Sequence, residues 1–303
     1  MTTSTQLERS IQNGRTIMTD ADLARSLGFT SEYADVNGTR LHYVIGGEGS
    51  PLILLGGWPH TWWEFHKIMP ALAEHHRVVA VDLRGMGGSA KPESGYDKKT
   101  MARDIAELIK TLGFSNANVA GHDIGAMVAY SLAVHHPEAI GKLALLDVPH
   151  PDEGWFFFTM LPQPQVPHMW WFAFNQLTEL PQVLPNGRFR ALIDHLCEGG
   201  LVNKDAITET DREIYAKAYD SPDAIRASNA WYQTWLQDIE DMKTYTPVTL
   251  PVLGLAAEDN AFLEAALRRQ TTSFQHERIV GSGHYLAEEQ PEAVTGHLLK
   301  FFS

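Results

Sequence analysis

Short β-branched and leucine-rich runs alternate along this chain with longer stretches of helical period, and that alternation restricts the fold more than any other feature. Parallel strands need a crossover of a dozen or more residues between them, which helices supply. Strand-like runs fall at residues 40–45, 52–55, 77–81, 117–120, 142–146, 252–256 and 277–280. Helical patterns fill the gaps at 62–73, 99–112, 124–135, 261–271 and 291–301. The expected class is α/β, a mostly parallel sheet flanked by helices. The alternation breaks between about 150 and 246, where aromatic clusters (WFFF, MWWFAF, AWYQTW) and scattered prolines carry no strand signal. That stretch reads as an inserted helical cap or lid, 150–246, over a core made of 31–149 and 247–303. Residues 1–30 read as an N-terminal appendage with one short helix, N-capped by Thr19 or Asp20.

At 44% hydrophobic residues, 303 residues bury a sizeable core. The formal net charge of -13 repels phosphate backbones, so no nucleic-acid partner is expected. Cys197 is the sole cysteine, which rules out an intrachain disulfide and gives no sign of an oxidising compartment. The first twenty residues lack the apolar stretch of a signal peptide. The greasiest run, 155–161, falls far short of the ~20 residues a membrane helix needs. The expectation is a cytoplasmic protein acting on a small molecule, with no membrane partner and a homodimer left open. No metal or cofactor is expected: the 14 histidines show neither His-Glu-x-x-His nor Cys–His spacing.

The most informative run is Gly121-His122-Asp123-Ile124-Gly125-Ala126, where a strand ends and a helix begins. Small residues on both sides let the backbone bend sharply and push the Asp123 side chain above the sheet. This is a nucleophile elbow with Asp where serine hydrolases carry Ser. The helix N-terminus favours the carboxylate anion, a nucleophile that needs no base beside it. An ordinary Asp N-cap is the bland alternative. Gly56-Gly57-Trp58-Pro59 follows the strand at 52–55, so the Trp58 and Ile124 amides are candidates for an oxyanion hole. Residues 82–89 read as a structural turn. His284, on the glycine-flanked loop after the last strand, is the candidate general base for water.

Together, GGWPHTWWEF, DLRGMGGSAKP, GHDIG and GSGHYLAEEQPE resemble the epoxide hydrolase and dehalogenase branch of the α/β-hydrolase superfamily. The motifs span nearly the whole chain from Tyr33 to Phe302. The resemblance implies an α/β-hydrolase fold with a helical lid, no cofactor, and a covalent ester on Asp123. Three departures stand out. Gly56 replaces the histidine usual in this loop. Asn260 falls where the family commonly places the acid that orients the histidine. Asp147, 147 − 123 = 24 residues after the nucleophile, fits the alternative place used by some members, with Asp259 kept as a second candidate whose ordinary role is a helix cap. In the lid, Tyr232 matches one of the two epoxide-gripping tyrosines and Trp171 stands at the other. Trp170, Phe172 and Trp231 are candidate substrate contacts.

Dehalogenases of this fold place Trp or arginines just after the nucleophile, whereas here Ile124-Gly-Ala-Met follows. The resemblance therefore implies an epoxide hydrolase, and the aromatic-rich lid points to an apolar substrate, aromatic or polycyclic epoxides included. Haloalkane or haloacid dehalogenation is the alternative, and a ligand-binding protein without turnover is a third.

Overall fold

The computed structural model describes residues 11, 12, 15, 16, 18–158 and 169–303. A two-residue ladder pairs β1 (Ile11–Gln12) with β2 (Arg15–Thr16). The main sheet holds β3 (Thr30–Val36), β4 (Thr39–Gly46), β5 (Ser50–Leu55), β6 (His76–Val81), β7 (Ala117–His122), β8 (Ile140–Leu146), β9 (Val252–Ala257) and β10 (Gln275–Ile279). Their spatial order is β10-β9-β8-β7-β5-β6-β4-β3. Strand β4 is antiparallel to both its neighbours, and every other pairing is parallel. Leu52–Leu55 and Val78–Val81 are wholly buried, as strands covered on both faces must be.

The expected strands all form, with β10 beginning two residues early and ending one early. Strand β3 escaped the sequence because only Ala34 and Val36 of its seven residues are buried. It is an edge strand whose polar residues blunt an open edge. A relay from Ser31 Oγ to His42 Nε2 (2.9 Å) and from His42 Nδ1 to Asp82 Oδ2 (2.7 Å) ties this edge to the turn after β6. Asp82 also accepts from the Trp62 and Gly88 amides, which fixes that turn.

Helices α1 (Asp20–Ser26), α2 (Met69–Ala73), α3 (Lys98–Thr111) and α4 (Ile124–His135) accompany the first strands. Thr19 caps α1 in a reciprocal box with Asp22, while Asp20 accepts from the Trp62 indole N–H instead. The expected helix over 62–73 is divided into a 3₁₀ turn, Trp62–Phe65, and α2, which opens with Pro70 in its first turn. Helix α4 is apolar all round and buried along nearly its whole length.

Between β8 and β9 come α5 (Trp170–Gln176), α6 (Leu180–Val183), α7 (Phe189–Gly200), α8 (Glu209–Tyr219), α9 (Pro222–Gln233) and α10 (Trp235–Met242). No strand interrupts them among the described residues, and part of the aromatic run at 155–161 lies outside those residues. The chain closes with α11 (Phe262–Gln270), α12 (Leu286–Glu289) and α13 (Pro291–Phe302). A buried ion pair, Lys98 Nζ to Asp238 Oδ2 at 2.8 Å, pins α10 to α3. No described helix is long and apolar enough to cross a membrane.

Candidate active site

Strand β7 delivers the chain to Asp123, whose φ of 50° and ψ of −121° lie in a region that side chains rarely adopt. A side chain at Gly125 would strike the Leu55 carbonyl, and one at Gly57 would strike the Asp123 side chain, so both close approaches need glycine. Asp123 makes no capping bond to α4, which disposes of the ordinary N-cap role. Its Oδ1 accepts from the Trp58 amide at 2.9 Å instead. Ile124 opens α4, where first-turn N–H groups have no partner within the helix.

His284 stands on the loop before α12. Its Nε2 lies 3.7 Å from Asp123 Oδ2, while its Nδ1 meets Asp147 Oδ2 at 2.6 Å. Asp147 also has a positive φ, 63°, just past the end of β8. Its Oδ1 accepts from the Ala257 amide (2.9 Å) and the Asn260 side-chain amide (2.8 Å). Burial works to raise the Asp147 pKa, but His284 and these two donors outweigh it and hold the carboxyl below its usual range. The carboxylate beside His284 is thus Asp147, and Asn260 buttresses it. Asp259 does not cap α11 as its ordinary role would have it. Asn260 Oδ1 accepts from the Phe262 amide in its place.

Beneath the elbow lies a group the sequence did not reveal. Glu64, on the 3₁₀ turn, is buried, and its Oε2 accepts from the Gly57 amide at 3.0 Å. A side chain at position 56 would meet that oxygen at 2.9 Å, so Gly56 and Glu64 fit each other, and Glu64 anchors the loop. Glu64 Oε1 lies 2.6 Å from His122 Nδ1, an ion pair whose N–H is not aimed for a directed hydrogen bond. His122 Nε2 lies 2.8 Å from the His284 carbonyl, which only accepts. An unprotonated Nδ1 would face a carboxylate oxygen lone pair to lone pair, so His122 is an imidazolium. His60, Glu64 and His122 bring ligand atoms within 4.8 Å of one another.

Burial opposes the His122 charge, yet Glu64 overrides it and raises the pKa to about 9. Unfolded histidine titrates near 6.5. Stabilisation by this proton is therefore full below about pH 6.5 and fades as pH rises through about 9, on the order of 3 kcal/mol. Thermal unfolding measured from pH 6 to 10 should show Tm falling over this window. In His122→Gln the pH slope should flatten; an equally steep slope would remove His122 as its source.

From α9, the Tyr232 ring lies edge-on to the Trp58 indole, 5.6 Å between centroids. Its hydroxyl has no hydrogen-bond partner among the described residues. Burial and then the negative charge of Asp123 hold the phenol pKa well above the usual value. Phe172 packs edge-on to Tyr232 at 5.2 Å and Trp171 packs on Phe172 at 5.9 Å, so Trp171 reaches this neighbourhood through Phe172. Trp170 packs against Trp171, Phe174 and His195. Trp231 corrects the sequence expectation. It is wholly buried and its indole N–H donates to the Arg84 carbonyl at 2.9 Å, so it anchors α9 to the core rather than meeting a substrate.

An eight-stranded, largely parallel sheet with an elbow carboxylate, a histidine and a second carboxylate at its strand ends defines an α/β hydrolase. The chain belongs to that family: the family described as "alpha/beta hydrolase fold" matches residues 50–291. Its relatives there include epoxide hydrolases and a dehalogenase. It is 32% identical to the soluble epoxide hydrolase of Corynebacterium sp. (strain C12), over 92% of this chain and 99% of that one. It is 31% identical to a fluoroacetate dehalogenase of Burkholderia sp, covering 68% of this chain and 69% of the other. Among solved structures, wild-type Cfl2 from Burkholderia cenocepacia superimposes with a TM-score of 0.85 at 31% identity, covering 91% of this chain and 96% of that one.

Proposed function

We propose that this protein is an epoxide hydrolase that opens apolar epoxides, aromatic ones included, through an ester on Asp123. One observation carries the reading: the Asp123 carboxylate has one oxygen on the Trp58 amide and the other facing His284. Asp123 Oδ2 attacks an epoxide carbon and the carbon–oxygen bond breaks. Tyr232 gives its proton to the leaving oxygen, with the Trp171 indole N–H as a second donor. Oδ1, already on the Trp58 amide, becomes the ester carbonyl, with the Ile124 amide as the second donor of the oxyanion hole. His284 then takes a proton from water, which attacks the ester carbon. Asp147 holds the imidazole tautomer and supports its charge. The tetrahedral adduct collapses, the diol leaves with the former Oδ2 and takes the proton of the re-formed carboxyl, and the proton held by His284 returns to the Tyr232 phenolate. Residues 150–246 act as the lid over a core of 31–149 and 247–303, while the expected 1–30 appendage is corrected within its described part: Leu23, Ala24 and Phe29 pack into the core and Thr30 opens β3. Trp170 and Phe172 supply apolar walls. The soluble epoxide hydrolase from Corynebacterium, alike over nearly the full length, supports this reading.

Dehalogenation is the second reading, favoured by the likeness to a fluoroacetate dehalogenase. The two separate on products: diol from an aryl and alkyl epoxide panel, or halide from haloacids and haloalkanes. No diol from any epoxide would end the first reading. Tyr232→Phe should slow ester formation from an epoxide roughly 10²-fold and leave ester hydrolysis nearly unchanged, because only the first step needs its proton. Stopped-flow rates of the two steps check this.

A further inference from the structure

Glu289, on α12, plays no part in the chemistry above, yet its buried carboxylate accepts three backbone N–H groups from two distant segments. Oε1 takes the Gly283 amide at 2.8 Å, one residue before His284. Oε2 takes the Val202 and Asn203 amides at 2.7 and 2.9 Å, in the turn between α7 and α8. The two backbones run in contact here. The His284 amide donates to the Gly200 carbonyl at 3.0 Å, and a side chain at Gly283 would collide with that carbonyl. Beside it, Glu288 Oε1 accepts from the Tyr215 hydroxyl of α8 at 2.5 Å, and Lys67 Nζ donates to the Glu288 carbonyl at 2.8 Å and to the Ala206 carbonyl.

We propose that Glu289 is a positioning residue for His284: it fastens the histidine loop to the α7–α8 turn, so that the inserted helices set the place of the general base. This rests on the reading of His284 as the base for ester hydrolysis. The second step of the reaction then depends on Glu289, while attack by Asp123 does not. Removing any one donor leaves the carboxylate two others, but changing the carboxylate to an amide points an N–H₂ at N–H groups, and one side of the bridge must open.

Glu289→Gln should form the Asp123 ester within about twofold of the wild-type rate, yet hydrolyse it 10- to 100-fold more slowly, the scale expected when a catalytic group shifts by about an ångström. The ester then accumulates at steady state, read as an adduct on the Asp123 peptide. The proton shared by His284 Nδ1 and Asp147 gives an activity-independent readout, because its downfield NMR resonance should shift or broaden. Val202→Pro removes one of the two donors on the other side, leaving the Asn203 amide on Oε2, so it weakens the bridge and keeps the histidine loop intact. Leu201, at φ −90° and ψ 137°, already has the conformation that precedes proline. It should act in the same direction with a smaller effect, and it serves if Glu289→Gln fails to fold. Equal slowing of both steps, or an unchanged resonance with wild-type partition, would overturn the proposal. If instead neither wild type nor His284→Gln ever modifies Asp123, the mechanism fails, and the resonance still reports on Glu289 alone.

Discussion

Asp123→Asn is expected to lose turnover on the order of 10⁶-fold, the loss seen when a covalent nucleophile is removed. An amide oxygen cannot form the ester, and the rest of the machinery cannot substitute for a missing bond. The fold should persist. Asparagine matches the shape of aspartate, tolerates positive φ better than other side chains, and keeps an oxygen for the Trp58 amide. Activity assays paired with thermal unfolding separate the two effects, and a Tm within a few degrees of wild type makes the loss chemical. A single turnover of wild type in heavy-oxygen water should leave the label in the Asp123 carboxylate and the old carboxylate oxygen in the diol. Label found only in the diol would mean direct attack by water, and the covalent route would be wrong.

His284→Gln should divide the reaction. Attack by Asp123 needs no base, so one equivalent of ester forms. Its hydrolysis needs His284 to take a proton from water, so turnover should fall roughly 10⁴-fold and the ester should persist. Mass measurement of the Asp123 peptide after mixing with epoxide checks this. A variant with neither ester nor turnover would place His284 in the first step. The 3.7 Å gap between Nε2 and Oδ2 motivates the expectation, since it separates two groups that act in sequence on the same ester.

Sequence alone reaches the parts of this site that local chain geometry fixes. The elbow is legible because Gly121, Asp123 and Gly125 act within one turn, and the helix from Ile124 to His135 begins and ends where its pattern does. Asp147 emerged because Asn260 occupies the more usual acid position, and the structure puts Asn260 to work supporting that same carboxylate. What sequence misses is carried by contacts across the fold. Glu64 and His122 are separated by 58 positions, and Glu289 and Asn203 by 86. Neither pairing leaves a local pattern, and a buried Glu reads in sequence as one more surface charge. Orientation is the other blind spot. Trp231 and Tyr232 are adjacent on one helix, so their side chains diverge by about 100°, and composition does not tell which faces Trp58.

The two bends that bring Asp123 and Asp147 off their strands, at φ of 50° and 63°, set heat resistance against chemistry. Backbones held this way cost on the order of 1–3 kcal/mol each, a sizeable part of a typical protein's margin. Glycine at 123 would relax one of them and leave nothing to attack carbon. A variant library sorted by survival at high temperature alone would drift towards that inert sequence, so directed evolution of this protein has to select for product in every round.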